Sequence, residues 1–146
     1  LSNNGRRPTR EAIMKELAWD QGLSIGIDEI DDDHRRLVDL YNILNHSVTE
    51  GDAADYIGAV LEELINCTAW HFSHEERLML KYGYKEMEEH KMEHQELLNS
   101  ARELQQKYLQ VGKLDEKEDL QFLEQWLTGH ILASDNRLGS YLIEVM

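Results

Sequence analysis

The sequence predicts an all-α protein, an up-down-up-down four-helix bundle with an extended N-terminal arm. Three observations predict it. The 146 residues contain one proline, Pro8, so nothing after it interrupts long helices. Apolar residues recur at i, i+3, i+4 and i+7 through four long segments. Short glycine-bearing turns separate those segments, and such turns join antiparallel neighbours. The length suits one domain with a real core.

Residues 1–18 are expected to be an extension or linker, with a short helix over residues 11–17. They are polar and basic at first (Arg6, Arg7, Arg10), and the Met-less start leans toward a piece of a longer polypeptide. Residues 19–146 are expected to form the bundle domain. The stretch from Trp19 to Ile27 alternates apolar residues between two glycines and reads as an extended arm packed on it.

The first helix is expected to start at Asp31, Asp32 and Asp33, an acidic cap suited to the positive end of the dipole. Its inward stripe is His34, Leu37, Val38, Tyr41, Leu44 and Val48, and it ends near Gly51. The second spans about residues 53–80, with Ile57, Val60, Leu61, Leu64, Cys67, Thr68, His71, Phe72, Glu75, Leu78, Met79 and Tyr82 on one face. Gly83 can take the left-handed conformation that ends it. The third covers about residues 85–111 with Met87, His90, His94, Leu97, Leu98, Ala101, Leu104, Tyr108 and Val111 inward, closed by Gly112. The fourth covers about residues 115–133 with Leu120, Leu123, Trp126, Leu127, His130 and Ile131 inward. Residues 137–142 read as a tail or terminal turn.

Composition excludes several functions. A net charge of −14, spread along the chain, argues against nucleic acid and anionic membrane surfaces, which need a basic footprint. No apolar run approaches the ~20 residues of a membrane span, and the start lacks the apolar core of a signal peptide. No membrane contact and a cytoplasmic location are therefore expected. The lone cysteine, Cys67, excludes an internal disulfide; its place on the stripe makes it a small core residue.

The stripes carry an anomaly. Every helix puts histidine where it should bury leucine: His34, His71, His90 with His94, and His130. Glu75 joins them, although a carboxylate is rarely buried without a partner. One inward histidine is ordinarily a hydrogen-bonded core residue, but five would each need a buried partner. Converging on metal satisfies them together. His71 with Glu75, and His90 with His94, are four apart and share a helix face. In an antiparallel bundle all five histidines gather at one end. His46 falls outside this set and is expected on the surface. His74 also falls outside it, with a flanking surface position favoured over a supporting role.

Asp135 stands five residues after His130, which a regular helix turns roughly 140° away. Either it is a surface residue or the helix opens there into a π-type turn. Five imidazoles and one or two carboxylates exceed a single tetrahedral zinc and are too nitrogen-rich for calcium or magnesium. They suit two octahedral transition ions bridged by carboxylate, with iron the leading choice.

In this order the residues resemble the hemerythrin family, above all its bacterial branch. The shared elements are Trp19 with the arm, Ile30-Asp31-x-x-His34-x-x-Leu37, His71-Phe72-x-x-Glu75-Glu76, Gly83-Tyr84, His90-x-x-x-His94, and Trp126-Leu127-x-x-His130-Ile131-x-x-x-Asp135. The resemblance spans about residues 19–142. It implies two non-haem iron ions joined by an oxo or hydroxo bridge. His90, His94 and His130 would hold one iron. His34 and His71 would hold the other, leaving a position for dioxygen, and Glu75 and Asp135 would bridge both. The same resemblance assigns Asp135 its place despite the five-residue spacing. It also implies a dioxygen pocket walled by Leu37, Phe72, Trp126, Leu127 and Ile131. Leu138 stands where related proteins commonly carry an aromatic residue, which implies a looser far wall.

The expected function is reversible dioxygen binding without catalysis, as a carrier or store, or as the sensing part of a longer signalling chain. The alternative is a di-iron redox sensor or oxidase. Ferritin-like oxidases use Glu-x-x-His pairs, and no histidine here has a glutamate three residues before it. A metal-free interaction bundle is disfavoured by the buried Glu75.

Overall fold

The computed structural model describes residues 16–19 and 21–146. Helix α1 is Asp28–Thr49, α2 is Ala54–Tyr82 and α3 is Met87–Val111. The fourth rod is composite: a π turn at Glu116–Leu120, α4 at Gln121–His130, a second π turn at Ile131–Asp135 and α5 at Asn136–Val145. No strand occurs among the described residues. This is the four-helix bundle that the apolar periodicity predicts.

Short turns set the antiparallel order. Gly83 caps α2 with φ +66°, and its N–H reaches the Met79 carbonyl. A side chain would be strained in that conformation, so glycine ends the helix and turns the chain toward α3. Every inward residue expected of the first two helices is buried except Val48, Cys67 and Tyr82, which are half-buried. On the third, Met87, Leu97 and Leu98 are only half-buried and Val111 is exposed, because the last turn of α3 runs past the packed part of the bundle. Cys67 sits at the core's edge, where its sulfur accepts from Arg36 Nε at 3.1 Å.

The acidic run at residues 31–33 does not cap α1. The helix begins earlier, after Ile27, and Ile27 lends no side-chain cap. The three acids divide instead. Asp31 is buried and accepts from Ser24 Oγ at 2.6 Å and from the Ile25 N–H at 2.9 Å. Asp32 is exposed beside Arg35, and Asp33 turns toward α2. Asp31 therefore ties the arm to the first turn of α1. The arm itself alternates as expected, with Leu23, Ile25 and Ile27 buried, after a short 3-10 turn at Gln21–Leu23. The helix expected over residues 11–17 lies largely outside the described residues.

The largest departure is at the C-terminus. Residues 137–142 are not a tail but part of α5, where Leu138 and Leu142 are fully buried. They close a second apolar cluster with Ile25, Ile27, Ile30, Leu78, Met79 and Tyr84. The main cluster fills the rest of the bundle through Leu44, Leu61, Leu64 and Leu123. The polar residues described next are buried along with these two apolar groups.

Candidate metal centre

Seven polar side chains converge from four helical rods. His34 comes from the second turn of α1, and His71 and Glu75 lie one turn apart on α2. His90 and His94 stand on successive turns at the start of α3. His130 ends α4, and the π turn at Ile131–Asp135 follows it. The extra residue per turn returns Asp135 to the inner face after five residues. All seven are buried, with Glu75, Asp135 and His34 at 0% exposure.

The two carboxylates divide their oxygens between two groups of histidines. Glu75 Oε1 lies 2.9, 3.1 and 3.9 Å from Nε2 of His94, His90 and His130. Its Oε2 lies 3.2 and 3.7 Å from Nε2 of His71 and His34. Asp135 repeats the division. Its Oδ1 is 3.1 Å from His90 and 2.8 Å from His130; its Oδ2 is 2.8 Å from His34 and 3.8 Å from His71. The result is a three-histidine side and a two-histidine side spanned by both carboxylates.

These atoms need something between them. Glu75 Oε2, both Asp135 carboxylate oxygens and His130 Nε2 are buried without a well-aligned hydrogen bond, despite the short separations. His34 and His71 even face each other through Nε2 atoms 3.0 Å apart. Lone pairs aimed at common points rather than at donors fit cations held there.

The electrostatics agree. Burial pushes the Glu75 carboxyl up, but His71, His130 and His34 hold it well below the usual carboxylate range. For Asp135, burial and the Glu75 charge act upward, and His130 and His34 hold it well below that range. Burial pulls the imidazoles down, yet these carboxylates raise His34, lift His71 and His130 well above the ordinary value, and bring His90 to about 9. Protons there do the work a metal cation would do, because two ionised carboxylates in a dry interior demand positive charge.

Sequence reasoning missed a second layer. Asp33 Oδ2 accepts from His71 Nδ1 at 2.9 Å, and Glu76 Oε2 lies 2.9 Å from His94 Nδ1. Glu93 Oε2 lies 3.3 Å from His130 Nδ1. Each carboxylate reaches from one helix to a histidine of the next rod. The signal was present: Asp33 precedes His34, Glu76 follows Glu75 and Glu93 precedes His94, each one step off an inward position. The His130 hydrogen bond is the main reason the Glu93 carboxyl falls to about 2. At Asp33, His71 and His74 outweigh burial and lower the carboxyl.

His74 corrects the surface expectation. It is half-buried, with Nδ1 2.6 Å from Asp33 Oδ2 and Nε2 2.7 Å from Glu29 Oε1. It touches the same carboxylate oxygen that holds His71. His46 is exposed, as expected.

A small cavity abuts His34, His71 and His130. Leu37, Phe72, Trp126, Leu127 and Ile131 all line it, and Thr68 and Leu97 complete the wall. About 10 Å³ is open to the centre of a water-sized sphere, room for one very small molecule. Apart from its histidines, the wall's hydrogen-bond donors are already committed. Trp126 Nε1–H donates to the Leu97 carbonyl at 2.9 Å, and the Thr68 hydroxyl donates to the Leu64 carbonyl at 2.7 Å. Leu138 does not loosen this wall. It is absent from the lining and packs instead in the second apolar cluster.

Fold and site together define a four-helix-bundle protein with a buried histidine–carboxylate metal centre. Comparison with known proteins narrows the class. Residues 25–142 match the profile described as the hemerythrin HHE cation binding domain, and the chain belongs to the hemerythrin family. It is 34% identical over 122 residues to a bacteriohemerythrin of Stenotrophomonas maltophilia, covering 84% of this chain and 78% of that protein. With a bacteriohemerythrin of Methylococcus capsulatus it shares 33% identity over 132 residues, covering 90% and 98%. A crystal structure of wild-type hemerythrin superposes with a TM-score of 0.78 at 29% identity, covering 86% and 97% of the two chains. Membership supports, in general terms, a non-haem iron, oxygen-binding role. No helix among the described residues is long and apolar enough to cross a membrane.

Proposed function

We propose that this chain reversibly binds dioxygen at a pair of non-haem iron ions. His90, His94 and His130 would hold one ion, His34 and His71 would hold the other, and Glu75 and Asp135 would each offer an oxygen to both. The observation that carries this reading is the division of oxygens: each carboxylate turns one oxygen to each group of histidines. A single ion would not call for it.

Bound iron would supply the electrons for dioxygen binding, and the two-histidine side offers it one protein nitrogen fewer. The chain's own residues govern access. Leu37, Phe72, Trp126, Leu127 and Ile131 exclude water from the cavity beside His34 and His71. Phe72 also stacks on His94, with ring centroids 3.8 Å apart, which fixes one wall against the three-histidine side. Because Trp126 and Thr68 give their hydrogens to backbone carbonyls, neither hands a proton to what occupies the cavity. A dry wall whose Trp126 and Thr68 hydrogens are committed elsewhere slows protonation and loss of a bound ligand. The cavity's size supports a binding role over an oxidase acting on an organic substrate. The same chemistry serves a carrier, a store or the sensing part of a longer chain.

Iron content, with visible absorption followed through cycles of air and vacuum, tests the reading. Two irons per chain and a colour that returns each cycle are expected. Fewer than two irons, or oxidation that does not reverse, would overturn it in favour of a redox sensor or oxidase.

A further inference from the structure

Glu29, His74 and Asp33 form a chain of contacts from solvent to the buried imidazole of His71, and the site as described above makes no use of it. We propose that Asp33, propped by His74 and Glu29, is a positioning residue. It fixes the tautomer and orientation of His71 and strengthens that imidazole as a donor to metal. The inference rests on the reading of His71 as an iron ligand.

The geometry has three parts. Asp33 Oδ2 accepts from His71 Nδ1, which leaves the Nε2 lone pair facing Glu75 and the cavity. A carboxylate in that place makes the imidazole a stronger donor than a neutral amide would. The same Asp33 oxygen meets His74 Nδ1 at 2.6 Å, and the other His74 nitrogen meets Glu29, so Asp33 cannot swing away without breaking both contacts. Finally, Asp33 is better sheltered than the other two outer carboxylates. Its side chain is 11% exposed, against 31% for Glu76 and 34% for Glu93. Water therefore weakens its effect least.

The two-histidine side is where this support has the most consequence. It has one histidine fewer, and among the described residues the Nδ1 of its other histidine, His34, is buried without a partner. Among those residues His71 is thus the only histidine on this side with an outer carboxylate. Donation through it favours the oxidised metal, so Asp33 biases the centre toward electron release.

The test is anaerobic Fe(II) titration of the full chain against a competing chelator, with a redox titration followed by visible absorption. Asp33→Asn keeps an acceptor oxygen near His71 but removes the charge. It is expected to weaken retention of the second iron about 10-fold, and Asp33→Ala by up to about 100-fold. Both raise the midpoint potential. His74→Ala, which leaves Asp33 in place, shifts both quantities the same way by less, and serves should an Asp33 variant not fold. A merely structural Asp33 would lower the melting temperature without moving the potential, and that outcome overturns the proposal. So does wild-type affinity with wild-type potential in both Asp33→Asn and His74→Ala. Failure of the underlying reading is separate: His71→Ala would then still hold two irons as tightly as the unmodified chain.

Discussion

The two sides of the centre are built from the same residue types and differ in how they are supported. The three-histidine side has His94 braced by Glu76 and a looser contact on His130, whose Nδ1 lies 3.3 Å from Glu93 without an aligned hydrogen bond. It is roofed by Phe72, stacked on His94. The two-histidine side has one braced nitrogen, on His71, an unpartnered His34 Nδ1 among the described residues, and both of its histidines on the cavity, which His130 alone reaches from the other side. One side is finished and the other is left open. The difference teaches that a bundle core can crowd histidines and carboxylates together at one point and keep a cavity beside them.

The strongest way to break the comparison is to remove what the sides share. Glu75→Ala takes one oxygen from each, and iron per chain is expected to fall from two to near zero by elemental analysis. His46→Ala, on the surface, keeps both. Removing one histidine from each side sharpens the contrast. His71→Ala leaves His34 alone with the carboxylates and should hold one iron. His94→Ala leaves His90, His130 and both bridges and should retain two, bound more weakly. Equal losses would mean that the two sides are not distinct.

Iron removal comes next. Without cations, the buried carboxylates and imidazoles stabilise only each other, and the melting temperature should fall by about 10 °C or more. Its pH dependence should also change sign. In the metal-free chain, the carboxylates hold His34, His71, His90 and His130 above the ordinary value of 6.5, His90 at about 9. Their contribution is full below pH 6.5 and is lost as pH rises toward 9. Glu75, Asp135 and Glu93 act oppositely: their contribution is present above pH 4.5 and is lost as pH falls, toward about 2 for Glu93. Metal-free protein should therefore be most stable between about pH 5 and 6.5. The iron-loaded chain needs neutral imidazoles and should grow more stable from pH 5 to 7. Thermal melts of both forms across pH test this, and parallel curves would count against metal at these histidines.

Filling the open side without touching a ligand is the finer test. Leu37→Phe puts a larger side chain against the cavity, and overpacking costs about 1–3 kcal/mol. Dioxygen affinity should drop about tenfold or more while iron stays at two per chain. Unchanged affinity would place the guest elsewhere.

Much of this was legible in sequence because helix periodicity carries it. The inward histidines and Glu75 stand at positions that a leucine would otherwise fill, so their chemistry shows against the pattern. Asp135 was legible only as a choice between surface and π turn, since spacing alone does not say that a helix will widen. The outer carboxylates were hidden for a related reason. Asp33, Glu76 and Glu93 sit one step off the inward face, where an acid normally means solvent, and only the neighbouring helix reveals their partners. His74 was set aside on the same logic. The second apolar cluster was invisible because it joins distant segments, the arm and α5, through contacts that no local period encodes.

That cluster gives the smallest effect and the cleanest control. Gly139 lies where the arm crosses α5, and a Cβ there would meet the Ile25 carbonyl oxygen at 2.5 Å and the Ile25 Cβ at 2.8 Å. The near atoms include backbone pinned by Asp31, which accepts the Ile25 N–H, so the arm cannot simply yield. Gly139→Ala should destabilise the fold by about 1–3 kcal/mol in denaturant titration. Because a Cβ at Gly139 would meet only Ile25 and none of the inward histidines or carboxylates, iron content and dioxygen affinity should stay as they were. A drop in either, with the fold intact, would mean that the arm reaches the centre through Leu138 and that the two apolar clusters do not act independently on the site.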